Sequence, residues 1–263
     1  MNDQSILPAP VVIVGLGEIG LVFAQGLLKN GHPILPVTRQ QSLSSVLASA
    51  PDAAALLVAV AEKDLNTVLE QVPAAWHDRL ILIQNELLPQ DWTSLGIANP
   101  TVASIWFEKK PGKYVNQLMP SPVWGPLADL VDTALRGCGL EARIVLDAHE
   151  MLEELVIKNV YILTTNIAGL KVGGDVAALW QEHEDLARAI AAEVIDIQEK
   201  LIGQVLTPEP LIEGMLAGFE GDPSHACKGR TAEARLHRAL ALARKFNVAT
   251  PRMDAIAAAC ASA

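Results

Sequence analysis

The first half of the chain alternates between short apolar runs and stretches in which apolar residues recur at helical spacing. Apolar runs typical of buried strands occur at 11–14, 34–37, 54–60 and 80–83. Segments with helical spacing stand between them, at 21–29, 42–50 and 64–71. Pro36 weakens the second run, so we expect that strand at or near an edge. The alternation predicts a doubly wound parallel sheet.

The rhythm changes after residue 100. Two strand-like segments, 101–108 and 114–119, flank a turn sequence at 109–112 and predict a hairpin that adds antiparallel strands to the sheet. A helix at 127–136 and a strand at 142–146 would complete this domain.

From residue 147 the pattern becomes helical. Asp147 with Glu150 three residues later has the form of a capping box at the start of a helix that runs to about residue 170. Further helices are predicted at 176–201, 210–216 and 231–246. The sequence therefore predicts an α/β domain over 1–146, followed by a mostly α-helical domain over 147–263, which we expect to bind substrate and to offer a dimer surface.

Composition narrows the class of protein. The chain has 263 residues, 51% of them apolar, and a net charge of −10, which is typical of a compact globular protein and disfavours nucleic acid and anionic membranes as partners. The apolar stretch 11–28 contains four glycines and Glu18, so a strand, turn and helix explain it better than a membrane span. The three cysteines are widely spaced, which favours reduced thiols over disulfides. The N-terminus has no basic segment, so we expect no signal peptide and a cytoplasmic protein.

Candidate chemistry begins at the turn after the first strand, where the sequence reads GLGEIG at 15–20. Gly15 would permit a tight turn, Gly17 would let the backbone approach a pyrophosphate, and Gly20 would let the helix pack on the strand. The backbone N–H groups of the first helical turn, which includes Glu18 and Ile19, would face the anion. This context predicts a dinucleotide-binding domain of the Rossmann type, although the glycines could also serve the strand–helix joint alone.

The end of the second strand bears on which dinucleotide is bound. No Asp or Glu occurs between Gly20 and Pro51, whereas domains that bind NAD usually place an acid there for the ribose 2′-hydroxyl. Arg39 occupies this region and could pair with a 2′-phosphate. NADP(H) is therefore favoured as cofactor, the alternative being that Arg39 is a solvated surface residue.

Further features occur in order along most of the chain, and together they carry a resemblance. They are the run at 11–20, Arg39, Asn85, Pro111-Gly112, Gly125, Gly139-Leu140, Lys158, Asn166, the sequence GRTAE at 229–233 and the residues at 248–251. With them the chain resembles the ketopantoate reductases, within the larger group of 6-phosphogluconate-dehydrogenase-like reductases. The resemblance implies an enzyme, in which a Rossmann domain is joined to a helical domain and a 2-oxo acid is reduced with NADPH.

The resemblance also implies roles for individual residues. Lys158 would be the general acid that protonates the carbonyl oxygen. A lysine suits this role because burial lowers its pKa towards neutrality. Asn166 and Glu233 would contact the substrate, and Asn85 would lie near the nicotinamide. Ser224 is a weaker match to a serine that holds the substrate carboxylate, because its spacing to Glu233 is shorter here.

Three departures mark the chain as a divergent member. Ile162 stands where the family has a second asparagine, four residues after the lysine. Ala61 replaces a lysine near the cofactor, although Lys63 is close by. In the loop at 84–88, Glu86 and Leu88 replace two glycines, which restricts the backbone. The substrate is therefore left open.

These departures keep two other functions in view. The protein could be a nucleotide-binding sensor or partner-binding module without catalysis, or a dehydrogenase of a hydroxy acid or amine. Bland interpretations also stand for the site residues: Lys158 as a surface lysine, Asn166 as a packing or capping residue, and Ser224 as a helix cap. Glu233 could lie on a solvated face of ion pairs, in a charged stretch with Arg230, Arg235 and Arg238. No third ligand accompanies the spacing of His149 and Glu153, so no metal site is expected.

Overall fold

The structure, a computed structural model, describes residues 8–262. These residues form two compact units, 8–152 and 153–262. Within the described range, no helix has both the length and the apolar character needed to cross a membrane.

The first unit is an α/β unit with nine strands and five α-helices among its described residues. The strands are β1 (Val11–Val14), β2 (Ile34–Val37), β3 (Ala55–Val58), β4 (Leu80–Leu82), β5 (Thr101–Ala103), β6 (Phe107–Glu108), β7 (Asn116–Gln117), β8 (Ser121–Trp124) and β9 (Ala142–Ile144). The helices are α1 (Glu18–Lys29), α2 (Leu43–Ser49), α3 (Leu65–Leu69), α4 (Gln90–Thr93) and α5 (Ala128–Gly137).

Seven of these strands form one sheet in the order β2-β1-β3-β4-β5-β8-β9. The first five strands of this order are parallel to one another, which confirms the predicted doubly wound core. β2 lies at the edge, as Pro36 predicted, because a proline has no N–H to donate to a second neighbour. β1 and β3 lie inside the sheet and every residue in them is buried.

The prediction for the segment after residue 100 was wrong in one respect. β6 and β7 do form an antiparallel hairpin around the predicted turn, but they make a separate two-stranded sheet. The strand that joins the main sheet in antiparallel orientation is β8, next to β5. The sequence analysis did not predict β8. The last register pair of β5 and β8 joins Ala103 to Val123, the residue next to Pro122. The carbonyl of Pro122 accepts a hydrogen bond from Ser104 N (2.9 Å).

A glycine sets how closely α1 packs on α5. A Cβ added to Gly26 of α1 would stand 1.9 Å from the carbonyl oxygen of Ala134 in α5, so the two backbones touch. The core of the unit then continues through buried side chains such as Phe23 and Leu135. This contact near the end of α1 holds the helix closely against α5.

The second unit is helical. Its helices are α6 (Ala148–Val172), which begins in the first unit, α7 (Val176–Ile202), α8 (Pro208–Gly221), α9 (Ala232–Phe246) and α10 (Pro251–Ala261). The predicted cap of α6 is present, since Asp147 Oδ1 accepts hydrogen bonds from the backbone N–H groups of His149 and Glu150, both at 2.9 Å. α7 bends at His183, whose φ of −137° is not helical. The sequence analysis did not predict α10.

Candidate functional site

A cleft of about 690 Å³ opens in the first unit at the carboxyl ends of β1, β2 and β3. Its lining residues come from the glycine turn, the end of β2 and the segment after β3, and include Val14, Gly15, Gly17, Thr38, Arg39, Gln41, Ala59, Ala61, Lys63 and Asp64. In doubly wound sheets, ligands bind at the carboxyl ends of the strands, so this is where the fold would hold a nucleotide.

The three glycines of the turn differ in what a side chain would meet. A Cβ on Gly15, whose φ is +91°, would lie 2.8 Å from Ala59 O, and a Cβ on Gly20 would lie 2.2 Å from Gly15 O. Both glycines are therefore required by the fold itself. A Cβ on Gly17 would have no atom within 4 Å and its φ of −74° suits any residue. The fold does not explain Gly17, whereas a ligand that approaches the backbone closely would.

Glu18 and Ile19 form the first turn of α1, which begins after Gly17. The Glu18 carboxylate lies 3.4 Å from Lys109 Nζ, at the tip of the β6–β7 hairpin. Lys109 also donates to the carbonyl oxygens of Lys110 (3.0 Å) and Lys113 (2.5 Å), which fixes its position. Gly17, which precedes the positive end of α1, lines the cleft. Lys109 offsets the negative charge of Glu18 at this end of the helix.

Two cations line the cleft, Arg39 after β2 and Lys63 after β3. Both side chains are exposed, as groups that meet a bound phosphate from solvent would be. The backbone before Arg39 is held by Gln41, whose Oε1 accepts from the N (3.0 Å) and Oγ1 (3.2 Å) of Thr38. One acid, Asp64, also lines the cleft, in the segment that follows β3.

The loop at 84–88 follows β4. Gln84 is buried and its Nε2 donates to Val58 O (2.7 Å), which ties the end of β4 to β3. Asn85 is half-buried, and its Nδ2 donates to Glu62 Oε1 (3.2 Å). Glu86 has a φ of 61°, so this chain keeps a left-handed residue at the first of the two lost glycines. The structural role of Gln84 gave no sequence signal.

The second unit buries Lys158 on α6, where its exposed fraction is 8%. Burial, aided by the positive charge of Arg235, lowers the pKa of the Lys158 ammonium to about 7. Its Nζ lies 5.3 Å from the centre of the Tyr161 ring, close enough for a cation–π contact. A lysine with this pKa is present in both its charged and its neutral form near neutral pH, whereas an exposed lysine stays charged.

Asn166 lies two turns further along α6 and is also buried. Its Oδ1 accepts hydrogen bonds from Gly229 N (3.1 Å) and Arg235 Nη1 (3.3 Å), and its Nδ2 donates to Ile162 O (2.8 Å). The amide therefore joins α6 to α9 and to the segment before it. Asn166 organises the surroundings of Lys158 in addition to any contact with substrate.

Glu233 and Ser224 are placed differently from Lys158 and Asn166. Glu233 is exposed on the first turn of α9. Ser224 is exposed in a turn, where its N (3.1 Å) and Oγ (2.7 Å) both donate to Asp222 Oδ1. Roles for these two residues as substrate ligands stay predictions.

Sequence reasoning missed Arg235, which it had assigned to a solvated charged face. The residue is buried, with an exposed fraction of 7%. A signal was present, because Arg235 stands at helical spacing with the apolar residues of the buried stripe of α9, which are Ala232, Leu236, Ala239, Leu240 and Ala243. A charged residue on an apolar stripe is expensive to bury, so its position points to a function or to a polar network.

Across residues 8–262, no group of three or more His, Cys, Asp or Glu side chains could hold a metal ion. Cys138, Cys227 and Cys260 are free thiols, and burial raises the pKa of the Cys227 thiol to about 11, so it is a poor nucleophile.

Comparison with known proteins gives a likeness of structure. No protein-family model matches the sequence, and no curated protein matches it. Among solved structures, 2-dehydropantoate 2-reductase from Methylococcus capsulatus is similar with a TM-score of 0.66 at 16% identity, covering 95% of each chain. A PanE/ApbA family ketopantoate reductase from Ralstonia eutropha JMP134 has a TM-score of 0.66 at 15% identity, covering 95% of this chain and 96% of its own.

A third neighbour is a D-mandelate dehydrogenase in complex with NADH, with a TM-score of 0.67 at 14% identity over 94% of this chain and 96% of its own. All three likenesses extend over nearly the whole of both chains. The resemblance seen in the sequence is thus confirmed at the level of architecture, and the chain has the fold of the ketopantoate reductases.

Proposed function

We propose that this protein is a divergent member of the ketopantoate reductase family that reduces a small 2-oxo acid with NADPH. The observation that carries the proposal is the buried Lys158, whose pKa of about 7 suits a general acid. It occurs in a chain whose first unit has a cleft at the carboxyl ends of three strands, lined by a glycine that the fold alone does not require.

The residues around the cleft fit a dinucleotide. Gly15 and Gly17 would let the turn approach the pyrophosphate, and the N–H groups of Glu18 and Ile19 would face it at the positive end of α1. Arg39 would pair with a 2′-phosphate, which favours NADPH over NADH. The bound cofactor would supply a hydride to the carbonyl carbon.

Lys158 would supply the proton. As the hydride adds to carbon, the C=O π electrons move to oxygen, an N–H bond of the Lys158 ammonium breaks, and an O–H bond forms. The products are a 2-hydroxy acid and a neutral lysine amine, which regains a proton from water. The positive charge of the ammonium would stabilise the developing alkoxide before the transfer is complete.

The test is a panel of 2-oxo acids with NADPH, followed by the absorbance of the reduced nicotinamide. We expect saturable oxidation with at least one acid, and we expect Lys158→Ala to reduce kcat by about 100-fold or more, the usual effect of a general acid, while NADPH still binds. Lys171→Ala is the matched control, because Lys171 is an exposed lysine on the same helix. Full activity of Lys158→Ala would show that the assigned role is wrong.

A non-catalytic sensor is the second candidate. Ile162 offers no hydrogen bond one turn after Lys158, and the Asn166 amide is committed to Gly229, Arg235 and Ile162. If NADPH binds and no acid in the panel is reduced, the sensor becomes the better description. A homodimer and a cytoplasmic location stay predictions, although the Staphylococcus aureus neighbour, 16% identical, is described as a dimeric ketopantoate reductase.

A further inference from the structure

The segment that follows β2 carries two hydrogen-bond donors that converge on one atom. The backbone N and the Oγ1 of Thr38 both donate to Gln41 Oε1, over 3.0 Å and 3.2 Å. Thr38 and Gln41 line the cleft at the carboxyl end of β2, and both residues are exposed. The shared atom is therefore an acceptor oxygen that two donors of one residue hold at the wall of the cleft.

A positive charge stands beside these donors, because Arg39 is the next residue and also lines the cleft. Within the described range, 8–262, no hydrogen bond or ion pair engages the side chain of Arg39, or that of Lys63 after β3. Asp64, an acid that also lines the cleft, follows β3, and no acid occurs in the chain from β2 to α2. The wall formed by 38–41 therefore combines two converging donors and an available cation without a carboxylate, which suits an anion.

The oxygen of Gln41 is an incomplete partner for this set of groups. It is neutral, whereas a phosphate oxygen is charged, and charge-assisted hydrogen bonds are about twice as strong as neutral ones. A phosphate oxygen at the same point would keep both hydrogen bonds from Thr38 and would add an ion pair with Arg39. The side chain of an exposed glutamine can rotate away at little cost to the fold. A phosphate that enters the cleft would therefore displace it.

We propose that Thr38 binds the 2′-phosphate of NADPH through its N–H and O–H groups, and that Gln41 Oε1 occupies the position of a phosphate oxygen in the ligand-free protein. The proposal rests on the proposed function, which assigns NADPH to this cleft, and it adds two residues that select the phosphate. Binding would exchange one acceptor oxygen for another at Thr38 and would release the Gln41 amide to solvent.

Gln41 is in this assignment a competitor of the cofactor, and the sign of its effect follows. Removal of the side chain should strengthen the binding of NADPH, whereas removal of a glutamine that contacts the bound cofactor would weaken it. NADH has no 2′-phosphate, so its binding does not require the displacement of Gln41. The effects of both residues should therefore appear with NADPH and be small with NADH.

The experiment measures the Kd of NADPH and of NADH by calorimetry at one fixed ionic strength. Thr38→Val removes the hydroxyl donor at nearly constant shape, so NADPH should bind about 10-fold more weakly while NADH changes little. Gln41→Ala removes the competing oxygen, so NADPH should bind about threefold more tightly. Both positions are exposed, so the variants are expected to fold as wild type does.

Gln41→Glu is the sharpest variant, because it places a carboxylate on the two donors of Thr38. This carboxylate would hold the donors more strongly than the amide does and would repel a phosphate, so NADPH should bind about 30-fold more weakly. NADH should bind as well as before or better, since an acid at the end of the second strand can accept from the ribose 2′-hydroxyl. Gln40→Glu adds the same charge at the preceding exposed residue and is the matched control, with a change in the Kd of NADPH below about threefold.

Binding of 2′,5′-ADP, which carries the phosphate without the nicotinamide, separates this inference from the proposed function. If wild type binds it, Thr38→Val and Gln41→Glu weaken it, and no 2-oxo acid is reduced, the phosphate site stands and the reductase fails. If acids are reduced but Thr38→Val binds NADPH as wild type does, or Gln41→Ala binds NADPH no more tightly, the roles of Thr38 and Gln41 are overturned. Equal weakening by Gln40→Glu and Gln41→Glu also overturns them. If wild type binds neither NADPH nor 2′,5′-ADP, both proposals fail.

Discussion

At the residue scale, the burial of Lys158 carries a cost in stability. Its pKa is about 7 in the folded chain, against an ordinary value of 10.5. Below pH 7 the lysine is charged in both folded and unfolded chains, and the folded chain bears the full cost of a buried ammonium. Between pH 7 and about 10.5 the unfolded chain binds the extra proton, so the contribution of this group to stability rises with pH. Above that range the amine is neutral in both states.

We therefore expect Lys158→Met to be more stable than wild type at pH 6, by about 2 kcal/mol, the scale on which apolar groups replace buried charges. The gain should shrink as the pH rises from 7 to 10. Urea unfolding at pH 6, 8 and 10 measures it, with Lys171→Met as the exposed control on the same helix. A gain that is equal at pH 6 and pH 10 would contradict the assigned burial of charge.

Single residues also show the limits of sequence reasoning. Lys158 was identified through the ordered features that carry the family resemblance, and its burial fits the chemistry expected of it. The left-handed φ of Glu86 could not be foreseen, because the choice of backbone region is made by the loop as a whole and no glycine marks it. Arg235 was misjudged because charge was given more weight than its place on the apolar stripe of α9.

At the scale of elements, α10 shows how a helix can be invisible in the sequence. Its alanines run without an apolar stripe, so periodicity gives no signal. Its start is instead supported from another helix: Glu193 of α7 is buried and its two carboxylate oxygens accept from Arg252 N (2.7 Å) and Met253 N (3.0 Å). Capping by a residue 59 positions away is a tertiary contact, which local sequence cannot reveal.

This cap leads to a graded prediction. Glu193→Ala leaves two N–H groups without their acceptors and should lower the free energy of unfolding by about 2 kcal/mol. Glu193→Gln keeps one acceptor oxygen and should cost about half as much. Urea unfolding gives both values. Glu182→Ala, at an exposed glutamate of the same helix, is the control. Equal losses in the Ala and Gln variants would show that the two oxygens do not act separately.

The strands also divide into those that the local sequence predicts and those that it does not. The buried runs that form β1, β3 and β4 were predicted because parallel central strands are apolar throughout. β8 was not predicted. It is four residues long, contains Pro122, which is unusual inside a sheet, and is paired on both sides, with β5 and with β9. Sequence pattern thus identifies elements whose stability is local, and misses those that depend on a neighbour's register.

At the scale of the whole molecule, the fold persists at 14 to 16% identity to the solved structures, so few individual residues are needed to specify it. The glycine turn is an exception that separates fold from function. Gly20 is required by packing, since a Cβ would meet Gly15 O at 2.2 Å, whereas Gly17 faces open space. Substitution of the two glycines should therefore affect different properties of the protein.

Gly17→Ala should leave the unfolding temperature of the ligand-free protein nearly unchanged, because its φ of −74° and its surroundings accept a methyl group. NADPH at 100 times its Kd should stabilise wild type by about 2.7 kcal/mol through preferential binding to the folded chain. Gly17→Ala should lose most of this stabilisation, because the methyl group fills the space that lets the backbone approach the pyrophosphate. Gly20→Ala should instead lower the unfolding temperature without ligand. Thermal unfolding with and without NADPH measures both effects, and a normal NADPH response in Gly17→Ala would place the cofactor elsewhere than at this turn.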